Sequence, residues 1–202
     1  YTIRLIAASA AGCRDTLSRS VTVNPNPTAA YTLNNTTQCL RGNSFSTNPG
    51  TSTVMTRTGA TNNDWIGGNT FGDFTLVNNG TGRVRTANSG SGDNFVGDVT
   101  FIKNSTGAVE PAYNNVSTFG GDISTVGSNS VLTFGIGTGT VEINGNTTQE
   151  LFADPANIPL VRRLTMNTSG TLELNIPLTI SVTLTLDNGI INNDENLLTL
   201  NS

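Results

Sequence analysis

The sequence predicts an all-β protein: a parallel β-helix (β-solenoid) of about 24 residues per coil, preceded by a short Ig-like or linker β segment. Three observations lead there. First, no apolar face with a 3.6-residue period extends beyond two turns, while Thr (33), Asn (27), Gly (22) and Ser (16) make up nearly half of the 202 residues. Second, the blocks Phe71-Gly72-Asp73, Phe95-Val96-Gly97-Asp98 and Phe119-Gly120-Gly121-Asp122 start 24 positions apart, and the next step of 24 lands on Ile143. Fixed-period self-similarity of this kind is the signature of a stacked repeat. Third, Gly and Asn are the residues that most easily adopt the left-handed backbone needed at the corners of such coils. Two Ig-like sandwiches compete for the same strand spacing of about 8 to 12 residues, but a sandwich has no need of an exact repeat.

Taken in order, residues 1–50 are predicted to hold partial Ig-like strands over 1–7, 18–23 and 29–33, with Asn24-Pro25-Asn26-Pro27 as a linker, because proline fixes φ and removes a donor. Residues 51–202 are predicted to form the solenoid. Within it, Phe71, Phe95, Phe119 and Ile143 form an inward apolar ladder, each burying a side chain worth roughly 1.5 to 3 kcal/mol. A second marker follows half a coil later, in Gly80-Thr81-Gly82-Arg83-Val84, Ser105-Thr106-Gly107-Ala108-Val109 and Gly137-Thr138-Gly139-Thr140-Val141. From 151 on the strand rhythm continues with a drifting period, alternating Leu and Thr, interrupted by a predicted outward loop around Pro155 and Pro159. Strand-like residues at Tyr1 and an apolar run at Leu197-Leu198-Thr199-Leu200 lead us to expect that the repeat region continues beyond the segment. No run approaches the roughly 18 to 20 apolar residues that span a bilayer.

The run Asn146 to Leu151, then Leu164-Thr165-Met166-Asn167-Thr168-Ser169-Gly170-Thr171-Leu172-Glu173-Leu174, Pro177-Leu178-Thr179-Ile180 and Thr183-Leu184-Thr185-Leu186-Asp187-Asn188-Gly189-Ile190-Ile191 resembles the repeats of very large surface proteins of Bacteroidota. That family includes gliding-motility adhesins exported by the type IX secretion system. Ala8 to Thr16 and Val21-Thr22-Val23-Asn24-Pro25-Asn26-Pro27 resemble the last strands of a PKD-type Ig-like module, and Thr28 to Phe45 the opening of another. The Trp-Asp-Phe-Gly-Asp-Gly signature of that module is missing, so only a partial one is expected. The resemblance implies an extracellular structural or adhesive role, with neighbouring modules of one long chain, identical subunits of a filament, or surface glycans as partners.

The chemistry-bearing residues fit that expectation. Histidine is absent and only 12% of residues are charged, which removes imidazole bases and the commonest metal ligand. Nine Arg and one Lys against 14 acids offer no basic stripe for nucleic acid. Cys13 and Cys39 are disulfide candidates, a bridge worth about 3 kcal/mol for a loop of that length; the alternative is two unpaired thiols or partners elsewhere. Asp73, Asp98 and Asp122, with Asn146 next, read as a corner-capping ladder that accepts backbone N–H groups; stacked carboxylates also suit calcium, the one cofactor left open. The remaining acids, among them Glu110, Glu142, Glu150 and Glu173, are scattered, and Arg162-Arg163 is the one basic doublet, so no catalytic residues are assigned and no enzyme is expected. The alternatives are a carbohydrate-binding module using Trp65 and Tyr113, then a polysaccharide-processing β-helix. An ice-binding face is disfavoured because the Thr-x-Thr pairs do not recur at 24.

Overall fold

The computed structural model describes residues 2–8, 14–20, 52–127, 132–155 and 158–201. Contacts divide the chain into two units, 1–32 and 33–202. In the first, β1 (Thr2–Ala8) and β2 (Arg14–Ser20) form an antiparallel hairpin with Leu5 opposite Leu17 and Ala8 opposite Arg14. The second strand thus begins at Arg14, four positions before the strand expected over 18–23. Cys13 and Cys39 lie outside the described residues, as do the expected strand over 29–33 and the proline linker.

In the second unit every described element is a strand and every pairing is parallel. The chain winds as a β-solenoid of about six coils whose strands fall on three faces. The first face stacks β3 (Ser52–Arg57), β6 (Asp73–Asn78), β9 (Val99–Lys103), β12 (Ile123–Gly127) and β15 (Gln149–Ala153). The second stacks β4 (Asn63–Ile66), β7 (Val84–Ser89) and β10 (Val109–Glu110), with β13 (Thr133–Phe134) in the following coil. The third stacks β5 (Thr70–Phe71), β8 (Asn94–Phe95), β11 (Val116–Phe119) and β14 (Thr140–Ile143). Near the C-terminal end β16 (Leu160–Leu174) and β17 (Leu178–Asn192) run around the corners through bulges, each contributing to all three faces, and β18 (Leu198–Leu200) starts the last level.

The alternation of each strand explains the core. Most inward positions carry Phe, Leu, Ile, Val or Met and most outward ones polar side chains, with a few buried polar residues where strands meet corners. On the third face the register keeps one interval, roughly 24 residues, from Phe71 to Phe95, Phe119 and Ile143. It then shortens by one position on the step to Met166 and by four on the step to Leu186. The drifting period after 151 is therefore a shortening of the coil, achieved by replacing looped corners with bulges.

One corner carries a backbone ladder of its own. Ala87 and Ala112 have φ of 50° and 49°, and Gly135, whose N–H bonds the carbonyl of Pro111, has φ of 67°. An L-residue in this region costs roughly 1 kcal/mol, and the cost is repeated in adjacent coils because stacked strands must turn at the same angle.

Candidate functional site

The chemically distinctive part of the protein is a set of residue columns running from coil to coil. Phe71, Phe95, Phe119 and Ile143 lie directly over one another, all buried. The Phe71 and Phe95 rings stack with centroids 5.4 Å apart, and Phe95 and Phe119 at 4.9 Å. Phe74 and Phe101 from the first face and Phe134 from the second meet these rings tilted or edge-on, as the quadrupoles of aromatic rings favour.

The aspartates form a second column on the exposed corner. Asp73 Oδ1 accepts the N–H of Asp98 (3.2 Å), and Asp98 Oδ1 accepts the N–H of Asp122 (2.9 Å). Asp122 Oδ1 then accepts the N–H of Glu150 at 2.8 Å, not that of Asn146. Asn146 departs from the expected ladder: it is exposed in the connection between β14 and β15, where this coil is longer, so Ile123 pairs with Leu151, 28 positions on. Gln149 is folded into that corner instead, accepting the N–H of Gly145 and donating to the carbonyls of Phe119 and Gly121. One oxygen of each aspartate thus holds a neighbouring coil, which is the geometry of a cap. Among the described residues no three acids, Cys or His gather as metal ligands.

Two buried polar columns were missed by the sequence reading. Asn69, Asp93 and Ser117 sit two positions before Phe71, Phe95 and Phe119, and that constant offset is the signal that finds them. Asp93 Oδ1 accepts both the N–H (3.1 Å) and the side-chain Nδ2 (2.6 Å) of Asn69, while the Asp93 N–H bonds Ser117 Oγ at 3.2 Å. Burial pushes the Asp93 carboxyl above its ordinary range, and the Asn69 hydrogen bonds pull it partly back. On the first face Arg57, Asn78 and Lys103 are in register and buried. Arg57 NH1 donates to the Gly82 carbonyl (2.6 Å), and Asn78 Nδ2 donates to those of Gly82 and Gly107, both at 3.1 Å. Desolvation lowers the Lys103 ammonium below its usual range.

The second sequence marker divides. Val84 and Val109 pair on the second face, and a Cβ at Gly107 would sit 2.2 Å from the Gly82 carbonyl oxygen, so glycine there is a matter of clearance. The third copy belongs to another face: Val141 pairs with Ser117, and Gly139 stacks on the carbonyl of Ala112.

The scattered charges also act between coils. Arg85 Nε and Glu110 Oε2 are 2.6 Å apart, and the Arg85 guanidinium lies 3.7 Å over the Tyr113 ring. Glu142 accepts Asn167 Nδ2 and Glu150 accepts Asn175 Nδ2, while Arg162 NH1 donates to the Ile136 carbonyl and Arg163 NH1 to that of Gly137. Trp65 packs against the core. A small interior void between Ile123, Phe134, Ile143 and Leu172 is lined by apolar atoms alone. No helix among the described residues is long and apolar enough to cross a membrane.

No family model, no curated protein and no solved structure matches the chain. What the columns do chemically is therefore read from the chain itself: they tie each coil to the next through apolar contact, amide capping and ion pairing at once.

Proposed function

We propose that this chain is a non-enzymatic, extracellular segment of a large bacterial surface protein, a stiff stalk that holds adhesive parts at a distance. The observation that carries the reading is the use of its acids and bases. Asp73, Asp98, Asp122, Arg85, Glu110, Glu142, Glu150, Arg162 and Arg163 each contact a group 24 to 28 positions away, so charge that an active site would gather in one cleft is spent joining successive coils. The resemblance of residues 146–191 to Bacteroidota surface repeats supports the same role and its location outside the cell. On the first face seven levels, from β3 to the end of β17, give a length of about 29 Å at the interstrand spacing.

Pulling a single molecule from residues 52 and 201 tests this. A stalk resists until whole coils release, each of about 24 residues adding roughly 80 Å of extended chain. Continuous lengthening at low force, or turnover of a polysaccharide by the intact chain, would count against the reading.

A further inference from the structure

The step Asn-Gly occurs three times in the chain, at 79–80, 144–145 and 188–189. In this dipeptide a side-chain amide and the next main-chain nitrogen meet with the least obstruction, because glycine carries no Cβ to hold them apart. All three asparagines are exposed, so access of water does not separate them. The exposure of Asn188 comes from its outward position: its ladder partner Asn167 is exposed too, although β16 has a strand on either side.

What separates the three is the partner of the glycine nitrogen. The Gly80 N–H donates to Oδ1 of buried Asn78 at 3.1 Å, while Oδ1 of Asn79 is drawn away to the next coil, where it accepts Nδ2 of Asn104 at 2.9 Å. The Gly145 N–H donates to Oε1 of buried Gln149 at 2.9 Å. In both places the nitrogen is engaged by another side chain and held off the asparagine amide that precedes it. The Gly189 N–H donates instead to Oδ1 of Asn188 itself, at 3.1 Å. Cγ of Asn188 is bonded directly to that oxygen, so nucleophile and electrophile already lie side by side, and a positioned pair reacts far faster than one that must first find its geometry.

We infer that Asn188 is a site of spontaneous covalent modification, where the Gly189 nitrogen closes on the side chain to form a succinimide, and that Asn79 and Asn144 are shielded from the same reaction. Solvent base takes the proton from the Gly189 nitrogen and the N–Cγ bond forms. The Cγ–Nδ2 bond then breaks, and Nδ2 leaves as ammonia with a proton returned by water. Water opens the ring at either carbonyl, leaving aspartate or its β-linked isomer, so water is the sole co-reactant. The product sets a second carboxylate beside Asp187. In the isomer the main chain passes through the former side chain and gains a methylene just before Ile190 rejoins the ladder opposite Thr171. This goes beyond the stalk reading and does not depend on it.

The test incubates the intact folded chain in mildly alkaline buffer beside a second sample unfolded in urea. Peptide mapping by mass spectrometry and enzymatic labelling of isoaspartate follow the three sites. Dividing each site's folded rate by its rate in urea removes the influence of neighbouring residue types. That ratio should be at least about tenfold larger for Asn188 than for Asn79 or Asn144. A ratio at Asn188 no larger than at the other two overturns the proposal. Gln149→Ala removes the acceptor of the Gly145 N–H and should raise conversion at Asn144 severalfold while leaving Asn188 as it was. An unchanged rate at Asn144 would show that Gln149 is no shield. Should the variant lose its fold by circular dichroism, the comparison of the three sites within the parent chain still decides.

Discussion

Replacing Phe95 with alanine removes the middle ring of the aromatic stack, and the structure sets the size of the penalty. Phe95 is fully buried, stacks on Phe71 and Phe119, and receives the tilted ring of Phe74 and the edge of Phe101. Its neighbours are held by interstrand ladders above and below, so they cannot close the gap. Phe→Ala truncations in such sites cost about 3 to 5 kcal/mol, and the loss of two stacked ring pairs places this one toward the upper end. For a unit of this size each kcal/mol lowers Tm by about 2 to 4 °C, so a fall of at least about 8 °C is expected. Urea unfolding followed by far-ultraviolet circular dichroism measures it, with Phe152→Ala as the reference. Phe152 is 39% exposed at the outer side of β15 and should cost well under half as much. Equal penalties for the two substitutions would refute the inward ladder, since only a stack that excludes water distinguishes them.

Three further outcomes are expected. Because burial raises the Asp93 pKa in the folded state, the native protein holds that proton more tightly than the unfolded chain; its contribution to stability is full below the ordinary carboxylate pKa and is lost as pH rises through the folded value. Asp93→Asn should remove that decline, seen as a difference in urea midpoint between parent and variant that widens from acid to neutral pH; parallel profiles would exclude it. Asp98→Ala should cost about 0.5 to 1.5 kcal/mol by stripping the acceptor from the Asp122 N–H, Asp98→Asn should cost less, and calcium should leave both melting curves unmoved. A calcium-dependent rise in Tm of the parent chain would show instead that the column holds a cation. Gly107→Ala should destabilise by about 2 kcal/mol or more because its Cβ meets the Gly82 and Gly80 carbonyl oxygens, while Gly59→Ala, whose nearest neighbour is 4.0 Å away, should be nearly silent in the same melt.

The fold was legible in the sequence because one of its three faces keeps strict count. From Phe71 to Ile143 the third face advances by the same interval at every level, and the large apolar side chain it needs marks each level. The first face hides its repeat: the steps from Arg57 to Asn78, from Asp73 to Asp98 and from Asp122 to Glu150 span 21, 25 and 28 positions, because corners absorb insertions that strands cannot. That is why Asp73, Asp98 and Asp122 were readable as a column while its next contact, the Glu150 N–H, was not: a backbone donor leaves no residue type to recognise. The Asn69–Asp93–Ser117 column keeps the interval yet changes residue at each level, so only its fixed distance from the phenylalanines betrays it. The Arg162-Arg163 doublet stood out in the sequence without a partner to assign, because its acceptors are main-chain carbonyls of the preceding coil.

The narrowing of the coil toward β17 has a consequence for how such a protein can change over generations. Phenyl rings occupy the wide levels, while Ile143, Met166 and Leu186 follow them in the same file. A gene segment encoding one wide turn can be copied next to its origin, where the girth is unchanged. The same segment inserted at the level of Met166 would bring a phenylalanine into a buried space that now holds a methionine, in a coil shortened by one position, so duplication is easier among the phenylalanine levels.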